Sequence, residues 1–168
     1  MAINELILWI EETQEKIDIS AILLSKNDLK EEEYKKFAKA FLPKCQKYQA
    51  ALLLDNEPQL AKEIGADGVH ISGDIGMLKD GIKLLKPDMI VGAGNIFSKD
   101  DAMIKGESGV DYVFFGEIGK VSSEQTHELA SWWAKTFEVP AVYCDANNKV
   151  QNFDNANCEF VALSDDKF

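Results

Sequence analysis

The sequence predicts an α/β fold of repeated strand–helix units around a parallel sheet. Three observations carry the prediction. Hydrophobic periodicity switches between helical and strand-like along the whole chain. The strand-like segments, such as Ala50 to Leu54 (AALLL), are short continuous apolar runs, as a sheet buried on both faces requires. Capping and breaking residues fall between the runs, so strands and helices alternate and imply right-handed crossovers.

Residues 3–16 place Ile3, Leu6, Ile7, Ile10 and Thr13 on one helical face. Ile19 to Leu24 (ISAILL) suits a buried strand. Asp28 is the expected cap of a long amphipathic helix, with Glu31 as its capping-box partner and Pro43 kinking it or ending its regular part. The acidic run Glu31–Glu33 is expected to be a solvated face paired with Lys35, Lys36 and Lys39 of the same helix. After the 50–54 strand, Pro58 opens a helix that ends near Gly65. Val69–Ile71 is a strand, 76–86 a helix closed by Pro87, Met89–Val91 a strand and Asp100–Gly106 a short helix. Val110–Phe115 (VDYVFF) is rich in strand-forming residues. Ser123 caps the helix EQTHELASWWAKTF. Val139–Cys144 and Phe160–Leu163 are the last strands, joined by the polar stretch 145–158, read as a loop or a very short helix. About seven strands result. A (β/α) barrel and an open doubly wound sheet both fit, although no G-x-G-x-x-G follows a strand and there is no Walker loop.

The 168 residues are expected to form one domain, 1–168, with 46% hydrophobic and 28% charged residues. Eighteen basic against 29 acidic residues give a net charge of −11, which disfavours nucleic acid and acidic membrane surfaces as partners. The expected location is the cytoplasm. There is no apolar run long enough to span a bilayer, and the N-terminus lacks a signal peptide's basic leader and cleavage site. Cys45, Cys144 and Cys158 have no metal-ligand spacing and read as free thiols, buried or half-buried, in a reducing compartment. His127 is expected to face solvent. Of Trp132 and Trp133, about 100° apart on a helix, one is expected in the core and the other at an oligomer contact.

Gly65-Ala66-Asp67-Gly68-Val69-His70-Ile71 resembles the GADGVH-(Leu/Ile)-G-Q motif of the thiamine phosphate synthase and TenI family. LLLDNEPQLAKEIGADGVHI, IVGAGNIFSKDDA, GVDYVFFGEI and LASWWAKTFEVPAVY resemble successive segments of that family in order, the last as in a bacterial branch with a Trp pair. The resemblance covers roughly residues 5–165. It implies a TIM-type (β/α) barrel that, aligned this way, lacks the family's first strand and keeps about seven. The seam left open is a liability that a second copy, a rearrangement or residues outside this sequence would close. His70, on a strand, is expected to make a structural hydrogen bond.

In such barrels the chemistry sits at the C-terminal strand ends. The resemblance implies a transferase joining a pyrimidine pyrophosphate to a thiazole phosphate with Mg²⁺, chemistry that needs cations around two polyanions. The family's Q-x-R-x-K aligns with Leu23, Ser25 and Asn27, leaving Lys26 out of phase, and its Asn-Asp-Arg becomes Asp55-Asn56-Glu57. G-Q-x-D becomes Ser72-Gly73-Asp74-Ile75. The family's Ser and His align with Gly94 and Ile96, beside Asn95, and the sixth-strand loop keeps Lys120. Cys144-Asp145-Ala146-Asn147 replaces the phosphate-cradling Gly-Gly turn, and Ser164, Asp165 and Asp166 follow the last strand. Lys26, Lys120, Gly94 and Asn95 are therefore the candidate phosphate or ligand residues, and Asp55, Asn56 and Asp74 the candidate metal residues.

Around the mouth, Asp55, Glu57, Asp74, Glu117 and Asp145 stand against Lys26 and Lys120. Each lost charge-assisted contact costs about 1.5–3 kcal/mol. The expectation is a divergent barrel, catalytically impaired or altered in its ligand, binding a small phosphorylated molecule and forming a homo-oligomer. An active thiamine phosphate synthase using Mg²⁺ is the alternative. A thiazole tautomerase is a third reading, weakened by the missing His.

Overall fold

The computed structural model describes residues 3–164, with side chains from residue 9 onward. It shows the expected alternation of helices with seven parallel strands. Helix α1 (Ile3–Gln14) leads into β1 (Ala21–Leu24), α2 (Glu31–Lys47), β2 (Ala51–Asp55), α3 (Pro58–Ile64) and β3 (Gly68–Ile71). There follow α4 (Ile75–Leu85), β4 (Ile90–Ala93), α5 (Lys99–Gly106), β5 (Tyr112–Phe115), α6 (Glu124–Thr136), β6 (Ala141–Cys144) and β7 (Phe160–Ala162). All six pairings are parallel and the sheet order follows the sequence from β1 to β7. Among the described residues β1 and β7 are the sheet's two edges and do not pair with each other. Asp165 and Asp166 lie outside the described residues.

Alternation along each strand separates two faces. Leu52, Leu54, Val69, Ile71, Val91, Val113, Phe115 and Tyr143 point towards the helices and merge with Tyr34, Phe41, Leu78 and Trp133 in one apolar core. The alternate positions line the inner face, where Leu53, His70, Phe114 and Cys144 are buried. At the β7 edge Phe160, on this inner face by its register with Val142, is 44% exposed.

The N-terminal ends of the strands share one device. Asp67, just before β3, accepts from Leu52 N of β2 at 2.8 Å. Asp111, just before β5, accepts from Val91 N of β4 at 2.8 Å. Glu159, just before β7, accepts from Ala141 N of β6 at 2.8 Å. Each acid thus ties its own strand to the preceding one through a charge-assisted bond.

Several local expectations need correction. The first residue of α2 is Glu31, so Lys30 and not Asp28 is the N-cap; Glu33 reaches back to Lys30 N at 3.2 Å. Pro43 lies inside α2, which runs on to Lys47. Lys35 and Lys39 pair with Glu63 of α3, at 2.7 and 3.8 Å, rather than with acids of their own helix. The two helices lie side by side on the sheet, so the ion pairs couple helix to helix. His127 is half-buried: Nε2 meets Asp154 at 2.9 Å and the ring stands edge-on to Tyr143. It ties α6 to the 145–158 segment, a loop that also buries Ala156 and Cys158.

Other expectations hold. Gly65 ends α3 in the left-handed conformation and Ser123 caps α6, accepting from Thr126 N at 3.1 Å. Trp133 is 1% exposed in the core, as expected of one member of the pair, whereas the contacts of Trp132 are within the chain, on Phe137 and with the Lys99 amine 4.6 Å over its ring. All three cysteines are free and buried.

Candidate functional site

At the C-terminal strand ends the candidate cations are already engaged. Lys26, in the loop after β1, meets Glu57 Oε1 at 2.8 Å. Lys120, in the loop after β5 and 68% exposed, meets both oxygens of Glu117 at 3.0 Å. The carboxylate that stands at the aligned Arg position is thus the partner of one lysine, and a neighbouring loop acid is the partner of the other.

The β2 and β3 ends form a hydrogen-bonded cluster. Asn56, in the left-handed region (φ 56), donates Nδ2 to Asp55 Oδ1 at 3.0 Å and to Ser72 Oγ at 2.9 Å. Its Oδ1 accepts from Ser72 N at 2.9 Å, and its own N–H donates to His70 O at 2.8 Å. Asn56 therefore staples β2 to β3. Burial, with repulsion from Glu57, holds the Asp55 carboxyl above the ordinary range. Asp74 is the N-cap of α4, its Oδ1 accepting from Met77 N at 2.9 Å.

Asn56 Oδ1, Asp55 Oδ1 and Asp74 Oδ1 each accept a hydrogen bond within the fold, while Oδ2 of both aspartates has no hydrogen-bond donor among the described residues. Mg²⁺ is commonly held by one or two carboxylates together with water and substrate phosphates, so Asp55 and Asp74 are the residues that would hold it here. No group of three His, Cys, Asp or Glu side chains that could hold a metal is present among the described residues.

Behind the mouth lies a residue the sequence reading passed over. Lys105 of α5 is 6% exposed, and its Nζ donates to Gly73 O at 3.1 Å, Gly94 O at 2.9 Å and Asn95 O at 2.9 Å. Three acceptors match the three donors of an ammonium. Burial lowers its pKa from the ordinary lysine value, opposed by Asp101 and Asp74. The candidates Gly94 and Asn95 thus serve through their carbonyls as Lys105 acceptors. A lone Lys late in a helix carries no sequence signal of such an inward turn.

One inner-face row crosses four strands in register: Asp55, His70, Gly92 and Tyr112. The Tyr112 ring lies over Gly92, where any Cβ would meet it at 1.9 Å, and its hydroxyl reaches His70 Nδ1 at 2.9 Å. His70 is 3% exposed, with Phe114 edge-on at 4.8 Å. Burial, assisted by the Lys105 charge, lowers its pKa to about 4. Its expected hydrogen bond is therefore present, and the ring is neutral at pH 7. Burial also pushes the Cys144 thiol up to about 11 and the Cys45 and Cys158 thiols to about 12, so none supplies a thiolate nucleophile at neutral pH. A groove of about 360 Å³ between Phe97, Lys99, Leu129 and Trp132 lies on the outer helical layer, away from this row.

A parallel sheet ordered β1 to β7 with a helix between most successive strands defines a TIM-like (β/α) fold of seven strands among the described residues. The thiamine monophosphate synthase family model matches residues 2–164, and the chain belongs to that family. It is 30% identical over 130 residues to a thiamine-phosphate synthase of Rhodospirillum centenum, covering 74% of this chain and 63% of the relative. It is 33% identical over 129 residues to one of Erythrobacter litoralis, covering 71% and 61%. The chain thus spans about three-fifths of the length of these curated relatives. Among solved structures, a thiamine phosphate pyrophosphorylase from Pyrococcus furiosus superposes with TM-score 0.74 at 18% identity over 94% of this chain and 78% of that one. A 3-keto-L-gulonate-6-phosphate decarboxylase from Vibrio cholerae superposes with TM-score 0.61 at 13% identity over 84% and 73%. Both are likenesses of fold. No helix among the described residues is long and apolar enough to cross a membrane.

Proposed function

We propose that this protein is a cytoplasmic thiamine-monophosphate-synthase-family barrel that has lost the parent condensation and binds a small ligand at its strand ends. One observation carries the reading: Lys26 and Lys120, the two candidate cations in the strand-end loops, are ion-paired with Glu57 and Glu117. A doubly phosphorylated reactant pair would have to break those pairs and then share the mouth with Asp55, Asp74 and Asp145. Transition-state stabilisation of a departing pyrophosphate relies on preorganised positive charge, and these two lysines are each already paired with a glutamate.

The competing reading, an active thiamine phosphate synthase, draws on the identity shared with synthases over more than 70% of the chain. Purified protein mixed with hydroxymethylpyrimidine pyrophosphate, thiazole phosphate and Mg²⁺ separates the two. Calorimetric binding of a phosphorylated thiazole or pyrimidine without product supports the proposal. Turnover at an ordinary enzyme rate, about 1 s⁻¹ or faster, overturns it in favour of the synthase.

A further inference from the structure

Helices α5 and α6 touch at one end and part at the other. Gly106 closes α5 against the Trp133 ring, so tightly that a Cβ there would meet the ring at 2.2 Å. Trp133 lies in the last turn of α6, so the C-terminal ends of the two helices are in contact. Their N-terminal halves are held apart by the groove of about 360 Å³, with Phe97 and Lys99 on the α5 side and Gln125, Glu128, Leu129 and Trp132 on the α6 side.

Phe97 stands at the rim of this groove and is 62% exposed. An apolar residue just before an N-cap commonly packs on the fourth helical residue. Here Ser98 is the N-cap and that residue is Ala102, too small to cover a phenyl ring. The backbone at Phe97 is nevertheless fixed. Its N–H donates to Asp101 Oδ2 at 3.2 Å, and Asp101 N donates to Ser98 Oγ at 3.1 Å. The ring is thus presented from a held backbone, and contact with it orders little further chain.

The two walls carry opposite charge. Lys99 on α5 and Glu128 on α6 are both exposed, and among the described residues neither has an ion-pair partner. The Lys99 amine rests over the Trp132 ring instead. A surface with an unpaired cation on one wall and an unpaired anion on the other complements itself. A two-fold axis along the groove sets α5 of each copy over α6 of the other, so that unlike charges meet. An axis across the groove sets α5 on α5, so that each wall meets its own charge.

We propose that the groove between the N-terminal halves of α5 and α6 is a self-association surface for a second copy of this chain, in which Phe97 packs on the partner's Leu129 and the partner's Trp132 and Lys99 pairs with the partner's Glu128. Each contact occurs twice, as an isologous interface requires. The surface lies on the outer helical layer and is independent of what the strand ends bind. It gives the half-buried Trp132 a role as an interface wall, in keeping with the enrichment of aromatic side chains at such contacts.

The test is sedimentation velocity of the full chain over about 1–100 μM, where a monomer–dimer equilibrium is expected. Phe97→Ala removes an exposed side chain, so the unfolding transition is expected to persist while dimerisation weakens by more than about thirtyfold. Lys99→Glu and Glu128→Lys each set like charges face to face and are each expected to weaken it by about tenfold or more. The double variant Lys99→Glu/Glu128→Lys exchanges the signs of both pairs and is expected to return to within about threefold of the wild type. A chain that stays monomeric to about 100 μM overturns the proposal, whatever else the groove then binds. A dimer that Phe97→Ala leaves intact lies on another face and overturns it as well. So does a double variant that associates no more tightly than the single ones, because the two-fold pairing is then absent.

Discussion

The two ends of this sheet use charge in opposite ways. At the N-terminal end, Asp67, Asp111 and Glu159 each accept from a backbone N–H of the preceding strand, so their charge is spent on register. At the C-terminal end, Lys26 and Lys120 pair with Glu57 and Glu117 between loops, and these contacts are exposed or half-exposed. A charge bound to a part-buried amide is worth about 1.5–3 kcal/mol, whereas an exposed ion pair is worth about 0–1. The difference teaches that the floor holds the fold and the rim is cheap to alter.

Lys105 breaks that comparison from the rim side, and its loss is the largest expected effect. Lys105→Met leaves the carbonyls of Gly73, Gly94 and Asn95 without their donor, and unfolding in denaturant should show a loss of about 3 kcal/mol or more. A loss below about 1 kcal/mol would put this lysine with the exposed pairs.

The next effect is a pH dependence centred on His70. Its folded pKa of about 4 lies below the unfolded value of 6.5, so the unfolded chain binds the proton more readily between them. Stability is full above about pH 6.5 and declines as pH falls towards about 4, by about 3 kcal/mol in all. Urea midpoints measured across that window should fall accordingly in the wild type and lose this component in His70→Gln.

On the floor, Asp111→Ala removes the acceptor of Val91 N and the partner of Lys86, which it meets at 2.6 Å. It should cost about 2 kcal/mol by the same denaturation measurement. Smallest is Lys26→Ala, expected to leave the denaturation midpoint close to that of the wild type. A larger loss there than in Asp111→Ala would reverse the contrast between the two ends.

Much of the architecture could be read from the chain because its signals are local. The apolar runs AALLL and VDYVFF, Pro58 at a helix start, Gly65 at a helix end and Ser123 as a cap each act over a few residues, and the structure has those elements. The three floor acids were also accessible in principle: Asp67, Asp111 and Glu159 each directly precede an apolar strand, in ADGVH, VDYVF and CEFVA. The site was less legible. Lys26 and Lys120 stood out as charges near strand ends, but nothing in their neighbourhood says that Glu57, 31 residues away, holds the first. Asp28 was favoured as a cap by residue type, yet the backbone begins its helix at Glu31 with Lys30 before it.

By itself the sequence determined the alternation of strands and helices, the parallel sheet and the family, because periodicity, caps and motif order are written residue by residue. Only the tertiary structure decided which charges are free and which are spent. Lys105 turns inward onto three carbonyls, Tyr112 reaches over Gly92 to His70, and Glu63 draws lysines from a neighbouring helix. Those pairings depend on which strands lie side by side and which faces meet, and electrostatic energy falls with distance in space rather than along the chain.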